Sequence, residues 1–193
     1  MDDLTAADWS VLHELRLRGL LDEPALAGHA HLVELEFVRV RAGRIALTDT
    51  GRAAHARWAL VATTDAGYDT LVRFHRSFAA LNRELLSVCS AWQVLPSSAP
   101  NDHRDARYDW EVIARLERLH ERAAPAVRRV ARHVERFGSH ERRLRHALRQ
   151  VVDEGANDWF TSPRIDSYHT VWNQLHEDVL LALGRSRGDE PEP

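Results

Sequence analysis

The N-terminal third of the chain changes from one hydrophobic periodicity to another. Apolar residues first recur at the 3.6-residue spacing of helices. Capping residues at Thr5 and Asp22 and a stop at Gly19 predict a helix after each cap, with a further helix over residues 29–37. The run FVRVRAGRIALTDTG then alternates around an Ala-Gly pair, which predicts a β-hairpin. RAAHARWAL restarts a helix, so the predicted order is helix, helix, helix, hairpin, helix.

Strand patterns are absent from the sequence after residue 65. An apolar stripe at i, i+3 and i+7 predicts one long helix over residues 67–93. Helical patterns resume over about 104–122, 125–137 and 140–153, with glycines 138 and 155 as breaks, and a last helix is expected over 167–183. The sequence therefore predicts a mainly α protein in which a small β-hairpin precedes an all-α domain.

The hairpin segment carries a recognisable motif. VRVRAGRIALTDTGRAAHARW resembles the wing and following helix of MarR-like winged-helix transcription regulators, in which a strand pair ends in a Leu-Thr-x-x-Gly-Arg turn. The matching residues are Leu47, Thr48, Gly51 and Arg52. Glycine permits a tight turn there, and threonine caps the next helix. The resemblance implies an N-terminal winged helix with a small β-hairpin wing.

The domain organisation and the first functional expectation follow from that resemblance. A winged-helix domain is expected over 1–62, an all-helical dimerisation and ligand-binding domain over 63–185, and a disordered tail over 186–193. The protein would then be a transcription regulator that binds double-stranded DNA as a homodimer and senses a small-molecule or anionic effector. Its expected DNA-binding residues are Arg39, Arg41, Arg44 and Arg52.

Two features favour an alternative in which a degenerate winged helix mediates protein contacts. Residues 23–38 must supply both helices that precede the wing, and Glu34 and Glu36 stand where a base-reading helix offers Arg, Lys, Asn or Gln. Positive charge is concentrated elsewhere, since residues 114–149 carry eleven arginines against four glutamates. That segment forms either two solvated helix faces or an anion-attracting surface.

The helical domain contains a cluster of polar candidates beside its apolar stripes. Trp172 lies in the core stripe of the last predicted helix, and four polar residues follow a neighbouring stripe at i, i+3, i+7 and i+10. Two more belong to the helix over 67–93, and another lies in the NDHRD segment. The candidate ligand-binding residues are His75, Asn82, His103, Asp166, His169, Trp172, Asn173 and His176.

Three interpretations of this cluster stay open at the level of sequence. It forms a pocket for an organic or anionic effector, or a zinc-type site of three of its histidines with Asp166, or a set of hydrogen-bonded side chains at the core boundary. The sequence leaves both cofactor and metal unknown, because tight metal-binding spacings such as HExxH are absent.

Several protein classes are disfavoured by the sequence. It contains no P-loop, GxGxxG or GxSxG motif, so an enzyme is not expected. The one cysteine, Cys89, lies beside an apolar stripe and is predicted to be a buried thiol in a reducing compartment. The N-terminus lacks the pattern of a signal peptide, and apolar runs do not reach the roughly 18 residues of a membrane span. A cytoplasmic location without membrane contact is expected.

Overall fold

The computed structural model of the protein describes residues 4–186 and 188. Its helices and strands, in chain order, are α1 (Ala6–Arg18), β1 (Leu21–Asp22), a 3-10 turn (Glu23–Leu26), α2 (His31–Glu34), β2 (Val38–Arg41), β3 (Arg44–Leu47), α3 (Asp49–Ala59), α4 (Tyr68–Gln93), α5 (Ala106–Ala131), α6 (Phe137–Val152), α7 (Asp158–Thr161) and α8 (Tyr168–Leu183).

The prediction of a mainly α protein with a small hairpin is confirmed. The described residues divide into two compact units, residues 4–60 with 180–186, and residues 61–179 with 188. The expected disordered tail, 186–193, lies outside the described residues except for 186 and 188. Among the described residues, every helix is too short or too polar to cross a membrane.

The first unit encloses its own small core. A capping box starts α1, in which the Thr5 hydroxyl accepts from the Asp8 backbone N–H and the Asp8 side chain accepts from the backbone N–H of Thr5. The three strands are antiparallel in the order β1-β3-β2. Apolar side chains of α1, the 3-10 turn, α2 and the sheet then pack into one cluster, which comprises Leu12, Leu15, Leu26, Leu32, Val38, Ile45 and Leu47.

The stretch between α1 and the hairpin differs from the sequence prediction. Two residues pair with β3 as strand β1, and only four residues follow Asp22 as a 3-10 turn. The helix expected over 29–37 is reduced to His31–Glu34. Glu36 adopts a left-handed φ of 57°, and the Phe37 N–H returns to the carbonyl of Leu32, which ends the helix and starts β2.

The second unit consists of the long helices α4, α5 and α6, the short helix α7, and α8 as far as Val179. The predicted helix over 67–93 is confirmed as α4. The break expected between 122 and 125 was wrong, because α5 continues through Pro125. An interior proline costs a helix about 3 kcal/mol, but a buried stripe that includes Leu119 and Val127 runs on both sides of it. The break falls instead at 132–136, so α6 already contains Gly138.

A buried carboxylate links two helices of the second unit. Asp178 on α8 is fully buried and accepts a hydrogen bond from Nε of Arg136 at 2.9 Å. Its other oxygen lies 3.0 Å from Nε2 of His140 on α6. A buried charge needs such partners, because desolvation otherwise costs it several kcal/mol. This contact fixes the start of α6 against α8.

Candidate nucleic-acid interface

The β2–β3 hairpin places three arginines on one face. Its two-residue turn, Ala42 and Gly43, has φ angles of 50° and 73°. Positive φ at both turn residues is typical of a type I′ turn, whose twist matches that of the flanking strands. Arg41 and Arg44 therefore lie directly opposite each other. Because successive side chains alternate between faces, Arg39 shares the face of this pair.

This arginine face carries more positive charge than its own contacts neutralise. Like charges directly opposite each other on neighbouring strands are destabilising. Arg44 lies 3.2 Å from a carboxylate oxygen of Asp22, and both side chains are exposed. Arg39 and Arg41 are exposed and make no hydrogen bond or ion pair within the part of the chain that the structure describes. A polyanion alongside the hairpin would supply the missing counter-charge.

The Leu-Thr-x-x-Gly-Arg motif fixes the hairpin to α3. The Thr48 hydroxyl accepts from the backbone N–H of Gly51 and so caps the helix. Gly51 lies so close to β2 that a Cβ atom there would be 2.0 Å from the carbonyl oxygen of Phe37. The Arg52 guanidinium donates to the Leu47 carbonyl and to Asp49. Arg52, an expected DNA contact, is thus half-exposed but already bound to its neighbours.

The α2 segment has few side chains that could form hydrogen bonds with the edges of DNA bases. Four residues give a helix only about 6 Å long. His31 has a partly exposed side chain but contacts Asp8, and the exposed residues on and just after the helix are apolar or acidic, namely Val33, Glu34, Leu35 and Glu36. In the major groove a carboxylate can accept hydrogen bonds only from the amino groups of cytosine and adenine, and it repels phosphates. The hairpin, rather than α2, is the part of the first unit suited to nucleic acid.

An apolar groove lies between the 3-10 turn, α2 and the hairpin. It has a volume of about 720 Å³, and apolar side chains including Pro24, Val33 and Val40 line it. Val33 and Val40 are 39% and 40% exposed. Glu23 and Glu34 complete the lining with negative charge. The sequence prediction of one continuous helix over 29–37 missed this groove, because the groove exists only where that helix is cut short.

A buried carboxylate holds the segment before α2 in place. The Asp8 side chain lies 2.6 Å from Nδ1 of His29 and 3.0 Å from Nε2 of His31. Its other oxygen accepts from both the backbone and the hydroxyl of Thr5. Burial raises the pKa of Asp8, but the hydrogen bonds from His29 and Thr5 outweigh burial and hold that pKa well below its ordinary value. The carboxylate therefore stays ionised and joins α1 to the segment before α2.

The candidate ligand-binding residues of the helical domain are divided among separate contacts. Asn82 on α4 accepts a hydrogen bond of 3.0 Å from the indole N–H of Trp172 on α8. Phe78 stacks on Trp172, with ring centroids 4.8 Å apart, and contacts the ring of His176 at 4.7 Å. These side chains form one packed cluster between α4 and α8, and His75 is a half-buried residue of α4.

The remaining candidates lie at other contacts. His169 and Asn173 are neighbours on α8, with Nε2 and Nδ2 3.3 Å apart, and burial lowers the pKa of His169. Asp166 accepts from the guanidinium of Arg143 at 2.9 Å.

His103 contacts the Asp109 carboxylate at 3.1 Å and packs against Trp92. Within the described part of the chain, His75, His169, His176 and Asp166 do not bring three candidate ligand atoms within 4.8 Å of one another.

Comparison of the chain with models of protein families, with curated proteins and with solved structures gives no match. Function is therefore inferred from the hairpin, the groove and the all-α second unit (the helical unit).

Proposed function

We propose that the protein is a winged-helix regulator that binds double-stranded DNA through the arginine face of its hairpin. The observation that carries the proposal is the arrangement of Arg39, Arg41 and Arg44 on one face, with Arg41 directly opposite Arg44. Such an arrangement is unfavourable in the isolated protein and favourable beside a phosphate backbone. The proposed role of the hairpin is that of a wing that contacts phosphates.

The order of elements in the first unit supports this proposal. A helix, a 3-10 turn, a short helix, a hairpin and a further helix follow one another, and β1 extends the hairpin sheet. This order agrees with the winged-helix arrangement implied by the motif at 47–52, with the two middle helices shortened. Because α2 is short and acidic, the proposed binding relies on phosphate contacts, which position a protein on DNA but carry little sequence information.

The salt dependence of DNA binding tests the proposed role of the wing. Each phosphate contact contributes about −0.9 to the slope of log K against log salt. Three wing contacts therefore give a slope of about −2.7, or about a 40-fold loss of affinity between 50 and 200 mM salt. The double variant R41Q/R44Q should retain a slope of about −0.9 and lose only about 3.5-fold over the same range.

Fluorescence anisotropy with a labelled duplex from upstream of the protein's own gene, and with a scrambled duplex, provides the measurement. R104Q/R107Q is the matched control, because it also removes two positive charges and both side chains are about 90% exposed outside the hairpin. We expect the control to bind like the wild type. Equal slopes for the wild type and R41Q/R44Q, or no binding at 50 mM salt, would refute the proposal.

Homodimerisation belongs to the same proposal. Regulators of this type bind two half-sites about one helical turn apart, so a twofold dimer matches an inverted repeat. We also assign effector sensing to the helical unit, because it is a distinct compact unit that follows the wing motif in the chain. Sedimentation velocity across a concentration series tests the dimer, and a monomer at all concentrations, with and without DNA, would remove this part.

A second candidate function is the docking of a protein partner in the groove of the first unit. The exposed valines at positions 33 and 40 line a concave apolar surface, and two glutamates favour a partner with basic residues beside its apolar ones. Val33→Glu should abolish retention of such a partner while leaving the salt slope of DNA binding unchanged. Partner binding that is the same in V33E and the wild type would refute this second function.

A further inference from the structure

A small pocket between α4 and α5 has a lining suited to an anion. It has a volume of about 250 Å³ and is lined by Thr70, Arg73, Phe74, Ser77, Ala126 and Arg129. Two of these side chains are guanidinium groups, two carry hydroxyls, and none is a carboxylate. Residues 70, 73 and 77 follow the i, i+3, i+7 spacing of one helix face, so α4 presents them together.

Neither of the two arginines has a carboxylate partner among the residues that the structure describes, whereas some other arginines of the helical unit do. Arg122 pairs with Glu84, and Arg128 pairs with Glu141. Arg129 makes no hydrogen bond or ion pair with any residue that the structure describes. The positions three and four residues away from it hold Pro, Ala, Arg and His, so its own helix supplies no counter-charge.

Arg73 is held toward the pocket by a hydroxyl. Its guanidinium donates to Oγ1 of Thr70 at 3.1 Å, although Asp69 stands four residues earlier on the same helix. That bond uses the Thr70 oxygen as an acceptor, so the hydroxyl proton remains available to a ligand. The Ser77 hydroxyl donates to the Phe74 carbonyl and offers the ligand no proton. The donors that face the pocket are therefore two guanidinium groups and one hydroxyl.

We propose that this pocket binds the phosphate group of a small phosphorylated metabolite. Two guanidinium groups match the charge of about −1.5 to −2 on a phosphate monoester at pH 7, and the planar guanidinium fits phosphate oxygens in a bidentate manner. Phe74 and Ala126 supply an apolar surface for a short carbon skeleton. The volume lies below the ~300–1,000 Å³ of pockets for drug-sized ligands, so the ligand is small. The site uses no residue of the hairpin and does not depend on DNA binding.

Isothermal titration calorimetry of the full chain with glycerol 3-phosphate tests the proposal. Inorganic phosphate, acetate and glycerol serve as comparison probes. We expect glycerol 3-phosphate to bind more tightly than phosphate, and acetate and glycerol to bind at least tenfold more weakly. Arg129→Gln and Thr70→Val should each weaken glycerol 3-phosphate binding at least tenfold, whereas Arg107→Gln, an exposed arginine elsewhere on α5, should not change it.

The variants distinguish binding at this pocket from general attraction of anions by the arginine-rich segment 114–149. Circular dichroism and melting of each variant establish that it folds, and Arg73→Lys, which keeps the charge but loses the planar fork, provides a second, milder perturbation. Binding of acetate as tightly as glycerol 3-phosphate would overturn the assignment to phosphate. Equal weakening in R107Q and R129Q, or no binding of either phosphate compound to the wild type, would overturn the site.

Discussion

Replacing Asp8 by asparagine removes one negative charge from the first unit while nearly keeping the shape of the side chain. The carboxylate is buried and contacts the backbone and hydroxyl of Thr5 as well as the rings of His29 and His31. An asparagine offers a single acceptor oxygen, and its NH₂ group would face donors. The substitution therefore disturbs both the capping box of α1 and the contact to the segment before α2.

The size of the effect follows from these contacts. A hydrogen bond to a charged group contributes about 1.5–3 kcal/mol and a neutral one about 0.5–1.5 kcal/mol. The change from a charged to a neutral acceptor thus costs about 1 kcal/mol per bond. Over the two Thr5 donors and the His29 ring, we expect D8N to lose about 3 kcal/mol of unfolding free energy at pH 7.

The pH dependence of this loss has a definite sign. The folded-state pKa of Asp8 lies well below its ordinary value of 3.8. The carboxylate therefore contributes its full stabilisation above about pH 4 and loses it as the pH falls from there toward the folded-state pKa. The difference in stability between the wild type and D8N should be largest near neutral pH and shrink at pH 3. His29 and His31 are the titratable groups that face Asp8, so both proteins must be compared at each pH.

Urea unfolding at pH 7 and pH 3 provides the measurement. The unfolding is monitored by the near-ultraviolet circular dichroism of the stacked Trp9–Trp58 pair in the first unit. Hydrogen exchange of the amides of α1 at pH 7 localises the effect. Asp49→Asn is the control, because its side chain is 98% exposed and its pair with Arg52 contributes at most about 1 kcal/mol. Similar losses for D8N and D49N, or a gap for D8N that persists unchanged at pH 3, would refute the reasoning.

Three further predictions concern packing. Gly51→Ala should destabilise the protein by about 1–3 kcal/mol, measured by urea unfolding, because the added methyl group would meet the Phe37 carbonyl; an unchanged midpoint would contradict it. Asn82→Ala should cost about 1–3 kcal/mol by leaving the buried indole N–H of Trp172 without its acceptor; the same measurement with no loss would show that this bond is dispensable. Burial raises the pKa of the Cys89 thiol to about 12, so Ellman's reagent at pH 8 should react slowly with native protein and rapidly in urea; fast native reaction would count against this burial.

The sequence by itself was sufficient where local interactions decide the structure. The Ala42-Gly43 turn and the period-2 pattern around it specify the hairpin and its register, and therefore the face that carries the arginines. The apolar stripe over 67–93 specifies α4, because apolar residues that keep helical spacing over so long a segment lie on one face only if the segment is a helix. The capping threonines at 5 and 48 also act as their positions predict.

Tertiary structure decided the features that depend on contacts distant in the sequence. The helix α5 continues through Pro125 because burial on both sides of the proline offsets its cost. The Asn82–Trp172 bond joins side chains 90 residues apart, so the half-buried Asn82, a ligand candidate in the sequence, is bound to the indole of Trp172. The pocket of Arg73 and Arg129 exists only where α4 and α5 meet. Helical spacing shows which residues share one face, but the neighbour that this face meets depends on the packing of the whole unit.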